Sequence, residues 1–156
     1  MNIVFFTSNR LLADSLTAGL RGRAGISTVK AVDSFSVLRE ILATARLDLV
    51  LFDVTPGIDW DKVRSLAGDY PHLALLALGP KEQRHEVVRL GRDVFLDYIA
   101  RNTTIEELCS AMSAAVQERL AYSPESRVRS SGRFFASIPS FTNPFRTKAS
   151  RDTEKK

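Results

Sequence analysis

The stretch Leu49-Val50-Leu51-Phe52-Asp53, followed by Val54-Thr55-Pro56-Gly57, decides the fold of this chain. Four consecutive apolar residues predict a strand that is buried on both faces, as strands at the centre of parallel sheets are. The proline and glycine that follow predict a turn. Asp53 therefore stands at the carboxyl edge of a central strand, where open α/β sheets place their binding and catalytic sites.

Strand-like and helix-like patterns alternate on both sides of this stretch. Short apolar or β-branched runs predict five strands, at Ile3–Phe6, Thr28–Val32, Leu49–Phe52, Leu73–Leu78 and Tyr98–Ala100. After each of them, apolar residues recur at helical spacing and predict a helix. Short loops and right-handed crossovers then give one parallel sheet with helices on both faces. The predicted fold class is α/β, a flavodoxin-like (βα)5 doubly wound sheet with strand order 2-1-3-4-5.

The composition is that of an ordinary globular protein with a basic tail. The 156 residues are 44% hydrophobic and 26% charged, enough for one domain with a full core. No apolar stretch reaches the length of about 18–20 residues that a membrane helix needs. The amino-terminal residues lack the basic region and cleavage site of a signal peptide, and the single cysteine, Cys109, suits a reducing compartment. We therefore expect a cytoplasmic protein without a membrane partner.

Positive charge is concentrated at the carboxyl end. Residues 1–122 hold 14 Lys/Arg and 15 Asp/Glu, whereas residues 123–156 hold 8 Lys/Arg and 3 Asp/Glu. We divide the chain into a domain at 1–121 and a basic, aromatic-containing tail at 122–156, whose composition predicts disorder. Such a tail offers non-specific contact with nucleic acid. The residues that would make it are Arg127, Arg129, Arg133, Arg146 and Lys148.

The order of these elements, and the stretch Arg101-Asn102-Thr103-Thr104-Ile105-Glu106-Glu107-Leu108, resemble the receiver domain of bacterial response regulators. The closest variety is the subfamily that carries a LuxR-type helix-turn-helix. The resemblance implies a two-component or phosphorelay protein whose partner is a sensor kinase or another regulator, with a homodimer as a further expectation. A helix-turn-helix effector domain needs about 60 residues, and only 34 follow Tyr122. We therefore expect a receiver without an effector domain.

The resemblance places Asp53 at the position of the family's aspartate that accepts a phosphoryl group, and Tyr98 at the position of an aromatic switch residue. Three other positions depart from the family pattern. Thr7-Ser8-Asn9 replaces an acidic pair that helps hold Mg²⁺, Gly79 replaces a serine or threonine that binds the phosphate, and Arg101 replaces a lysine. Mg²⁺ usually takes one or two carboxylates, and here only Asp53 and a backbone carbonyl near Thr55 would serve. We therefore expect no resident cofactor, and weak or absent Mg²⁺-dependent phosphorylation.

These residues lead to an atypical receiver-like signalling protein, not an enzyme, that acts by protein–protein interaction. Arg101 is predicted to pair permanently with Asp53 and so to mimic one fixed signalling state. Two alternatives stay open: a response regulator that is phosphorylated on Asp53 and controls transcription, and a flavodoxin-like protein that binds phosphate or a nucleotide through Thr7, Ser8 and Asn9. In the simplest interpretation, Asp53 is a capping or solvated carboxylate, Thr7–Asn9 a hydrogen-bonded turn, and Tyr98 a tyrosine at the rim of the core.

Overall fold

The computed structural model describes residues 1–54 and 58–121. The five strands are β1 (Asn2–Phe6), β2 (Thr28–Val32), β3 (Leu49–Asp53), β4 (Ala74–Gly79) and β5 (Asp97–Ala100). The five helices are α1 (Arg10–Leu20), α2 (Phe35–Thr44), α3 (Trp60–Asp69), α4 (Arg84–Gly91) and α5 (Ile105–Ala121). A short 3₁₀ turn, Lys81–Gln83, precedes α4.

The strands form one parallel sheet in the order β2-β1-β3-β4-β5, which confirms the predicted topology. All five residues of β3 and all six of β4 are buried, as the apolar runs predicted. Their side chains alternate between two hydrophobic clusters, one under α2, α3 and α4 and the other under α1 and α5. The sheet is therefore covered on both faces, and the carboxyl ends of its strands form one edge.

Local sequence sets the helix starts. Ser34 caps α2 by accepting a hydrogen bond from the backbone of Val37, and Asp59 accepts hydrogen bonds from the first turn of α3. Thr104 and Glu107 exchange the two hydrogen bonds of a capping box at the start of α5. The predicted boundaries differ from the observed ones by one residue at several strand ends, and the 3₁₀ turn was not expected from the sequence.

No helix among residues 1–54 and 58–121 is long and apolar enough to span a membrane. The predicted tail at 122–156 lies outside the described residues, so its division from the domain stays a prediction.

Candidate functional site

The candidate site forms where β1 and β3 end side by side. These two strands are adjacent in the sheet and pair Phe6 with Phe52, so the residues that follow, Thr7 and Asp53, lie next to each other. Neighbouring helices leave from opposite faces at this position, which is the switch point of the sheet. The prediction from sequence placed Asp53 at the carboxyl edge, and the structure places it there as the last residue of β3.

Both carboxylate oxygens of Asp53 have partners within this chain. The Thr7 hydroxyl donates a hydrogen bond of 2.7 Å to Oδ2, and Nη2 of Arg101 donates to Oδ1 and forms an ion pair with it. The Asp53 side chain is only 2% exposed. A buried carboxylate needs such partners because burial otherwise disfavours its charge. The predicted pairing of Arg101 with Asp53 is thus present in the structure, and a solvated Asp53 is not.

Thr7 and Asn9 form hydrogen bonds that close a local turn. The Thr7 hydroxyl oxygen accepts a 3.0 Å bond from the Asn9 backbone, and Oδ1 of Asn9 accepts one of 3.1 Å from the Leu12 backbone, which caps α1. Ser8 is exposed between them. Two of the three side chains proposed for a phosphate loop are therefore engaged within the chain, as in the alternative interpretation of a hydrogen-bonded turn.

Arg101 reaches Asp53 from the loop that follows β5. Its backbone N–H donates a 3.0 Å bond to the Gly79 carbonyl, which holds the start of this loop against the end of β4. The guanidinium side chain is 35% exposed, so one side faces solvent while the other meets the carboxylate. The site is a buried anion covered by a half-buried cation.

Tyr98 is turned inward, and its hydroxyl lies beside Gly79. The residue is 6% exposed, and its hydroxyl donates a hydrogen bond to the Pro80 carbonyl. A Cβ built on Gly79 would stand 2.5 Å from that hydroxyl oxygen and 3.0 Å from Cγ2 of Val54. Burial raises the pKa of Tyr98 to about 12, and the nearby Arg101 partly offsets this rise. Gly79 therefore leaves the space that the inward tyrosine fills.

Asp97, at the amino end of β5, was missed by the sequence reasoning. Burial raises its pKa to about 6, although a hydrogen bond from the Tyr98 backbone and the charge of Arg84 both favour the ionised form, and the charge of Glu118 disfavours it. The sequence signal for a buried carboxylate was an acidic residue directly before the Tyr98-Ile99 pair of the predicted strand. It lies on β5, between α4 and α5, away from Asp53.

Metal ligands other than Asp53 are sparse here. Among residues 1–54 and 58–121, no group of three or more His, Cys, Asp or Glu side chains is arranged to hold a metal ion. Thr55, whose backbone carbonyl was the second predicted Mg²⁺ ligand, lies outside the described residues. The same holds for the tail residues predicted to contact nucleic acid, which are Arg127, Arg129, Arg133, Arg146 and Lys148.

The sequence matches no protein-family model and no curated protein. The fold, in contrast, is similar to many solved structures. A response regulator receiver domain from Clostridium thermocellum is 18% identical with a TM-score of 0.64, over 76% of this chain and 96% of that one. The receiver domain of a two-component response regulator from Bacteroides fragilis is 15% identical with a TM-score of 0.67, over 74% and 95%.

A LuxR family DNA-binding response regulator from Silicibacter pomeroyi is also similar. It is 19% identical with a TM-score of 0.63, and the match covers 76% of this chain and 93% of that one. At these identities the comparison rests on the path of the backbone: five parallel strands in the order 2-1-3-4-5 with helices on both faces. The chain has the fold of the response regulator receiver domains.

Proposed function

We propose that this protein is an atypical receiver module of two-component type that signals by binding other proteins, with weak or absent Mg²⁺-dependent phosphorylation. One observation carries the proposal: the carboxylate of Asp53 is buried and already holds Thr7 on one oxygen and Arg101 on the other. The module would be cytoplasmic and would perform no catalytic turnover.

The chemistry of phosphoryl transfer explains why this arrangement opposes phosphorylation. The attacking oxygen must be free and in line with the phosphoryl group, and Mg²⁺ must neutralise the charge that develops during transfer. At Asp53 both oxygens would first have to release their partners. Mg²⁺ would then find no second carboxylate at Thr7 or Ser8. The guanidinium of Arg101 already supplies one positive charge, as a planar fork that suits a carboxylate.

The partner would be a sensor kinase, another regulator or a second copy of this chain. The proposed contact surface is the outward side of α4, β5 and α5, which we call the switch face. Arg84 and Arg89 are exposed there, and Glu118 of α5 lies on the same side, since its charge and that of Arg84 both act on Asp97. This mixed charge suits a polar protein surface rather than a membrane.

The test is exposure of the full chain to acetyl phosphate, or to beryllofluoride, with Mg²⁺. Intact mass and ¹H–¹⁵N chemical shifts report any modification, and Asp53→Asn is the matched control. We expect wild type and Asp53→Asn to respond alike, with no added mass at position 53. A clear response that Asp53→Asn abolishes would overturn the proposal. It would favour the alternative, a regulator that is phosphorylated on Asp53 and controls transcription.

The other functions proposed from sequence have their own tests. Binding of phosphate or a nucleotide through Thr7, Ser8 and Asn9 predicts a ligand that copurifies with the protein. A nucleotide is detected by its ultraviolet or visible absorbance, and inorganic phosphate, which does not absorb there, by chemical assay. Contact with nucleic acid through the tail predicts salt-sensitive binding to random duplex that disappears when the five basic residues named above are neutralised. Neither is favoured by a contact among the described residues.

A further inference from the structure

We propose that Gly79 is a positioning residue: its lack of a side chain holds Tyr98 inward and, through the shared backbone, holds Arg101 on Asp53. The inference deepens the proposed function, on which it rests, because it names what keeps the module in one state. It concerns the packing of the end of β4 against β5 rather than Asp53 itself.

The first step is steric. Real Cβ atoms essentially never approach another heavy atom more closely than 3.0 Å, and a Cβ at position 79 would lie 2.5 Å from the Tyr98 hydroxyl oxygen. The Cγ2 atom of Val54 stands 3.0 Å from the same point, and Val54 is buried, so the added carbon has no free direction. A side chain at 79 is therefore accommodated only if the Tyr98 ring moves from its inward position.

The second step is the hydrogen bond that anchors the tyrosine. The Pro80 carbonyl accepts from the Tyr98 hydroxyl and also from the backbone N–H of Gln83, at 3.1 Å. Gln83 ends the 3₁₀ turn and directly precedes α4. One carbonyl thus joins β5 to the start of α4, and displacing Tyr98 would release that connection.

The third step reaches the candidate site. The Arg101 backbone donates to the Gly79 carbonyl at 3.0 Å, so Arg101 takes its position from the same peptide that makes room for Tyr98. Tyr98 and Arg101 stand three residues apart, and the charge of Arg101 is felt at the Tyr98 hydroxyl. A substituent at Gly79 that pushes Tyr98 outward would shift the end of β5 and loosen the pairing of Arg101 with Asp53.

The experiment is a double-mutant cycle in the full chain, with Gly79→Ala, Tyr98→Phe and the two combined. Alanine is otherwise tolerated better than glycine in a strand. A loss of stability on Gly79→Ala therefore reports the steric clash between the added Cβ and Tyr98. We expect Gly79→Ala to lower the midpoint of urea unfolding markedly, and Tyr98→Phe, which removes the closest atom, to cancel most of that loss. Gly68→Ala is the matched control, since a Cβ there meets nothing within 4 Å.

A second readout separates positioning from simple destabilisation. In wild type labelled at tyrosine ¹³Cζ, the NMR titration of Tyr98 should give a pKa of about 12. In folded Gly79→Ala the Tyr98 pKa should return toward the ordinary value of about 10, because the ring is no longer buried. The Arg101 guanidinium signals should shift at the same time, while Gly68→Ala leaves both unchanged.

The inference would be overturned if Gly79→Ala lowered the unfolding midpoint equally in the wild-type and Tyr98→Phe backgrounds. An unchanged Tyr98 pKa in Gly79→Ala would also overturn it. If Gly79→Ala does not fold, folding of the combined variant supports the inference, and failure of the combined variant refutes it. The cycle uses neither Mg²⁺ nor a phosphoryl donor. Its result is therefore separable from the beryllofluoride experiment, which tests the proposed function.

Discussion

The Thr7 hydroxyl lies 2.7 Å from Oδ2 of Asp53 and donates a hydrogen bond to it, across two neighbouring strands. Both residues are buried. The Thr7 hydroxyl oxygen also accepts from the Asn9 backbone, so a single hydroxyl joins the end of β3 to the start of α1. The site is therefore part of the hydrogen bonding that holds the fold together.

Thr7→Val should destabilise the protein by about 2 kcal/mol, because it leaves a buried carboxylate oxygen without its donor at nearly constant side-chain volume. Urea unfolding measures the loss. Ser8→Ala is the control, since Ser8 is exposed in the same turn, and it should change the unfolding free energy by less than about 0.5 kcal/mol. Equal effects from the two variants would contradict the role given to Thr7.

Arg101→Gln should lower the unfolding free energy by about 1–2 kcal/mol. Removing one partner of a buried ion pair costs about 3–5 kcal/mol, and solvent screening at the half-exposed guanidinium reduces that cost. In an Asp53→Asn background the same substitution should cost much less, because no buried charge is left unpaired. A cost that is the same in both backgrounds would show that Arg101 stabilises the protein without Asp53. Arg92→Gln, on the exposed surface, is the control.

Asp97→Asn should make the protein more stable above pH 6. The folded-state pKa of Asp97, about 6, lies above its ordinary value of 3.8. The folded state therefore holds the proton more tightly, and stability is lost as pH rises from about 4 to about 6. Asparagine keeps an oxygen for the Tyr98 backbone N–H without the charge. We expect a gain of about 1–2 kcal/mol at pH 7.5 and little change at pH 4. A gain of the same size at both pH values would exclude Asp97 as its source.

Ser8→Asp should increase Mg²⁺ affinity, because it places a carboxylate directly after Thr7, on the side of the site where only hydroxyl and amide groups now stand. Titration calorimetry at constant ionic strength measures the change. Ser15→Asp, an exposed position on α1, adds the same charge farther along the helix and should not bind the ion. If both variants bind Mg²⁺ as weakly as wild type, a missing carboxylate is not what limits binding.

The fold was predictable from sequence because its signals are local and redundant. Apolar runs such as Leu49–Phe52 and the polar helix starts at Ser34 and Asp59 each indicated an element independently. The pairing of Arg101 with Asp53 was also predictable, since a parallel sheet brings the ends of β3 and β5 to one edge and the two charges are opposite.

The steric role of Gly79 could not be predicted in the same way. A missing hydroxyl can be recognised in the sequence, whereas the direction of the Tyr98 ring depends on packing between residues 19 positions apart. The bond from Thr7 to Asp53 was missed for a related reason. Its signal was the position of Thr7 one residue beyond β1, next to β3. The sequence does not show, however, that Thr7 turns inward while Asn9 caps α1.

The Pro80 carbonyl, which receives both the Tyr98 hydroxyl and the Gln83 backbone N–H, has a kinetic consequence. Both donors tie the start of α4 to β5, so we expect a protein that binds the proposed switch face to meet a surface that needs little rearrangement. Association then needs no prior ordering step. Binding traces should follow a single exponential whose observed rate rises linearly with partner concentration, without the plateau that a preceding isomerisation imposes.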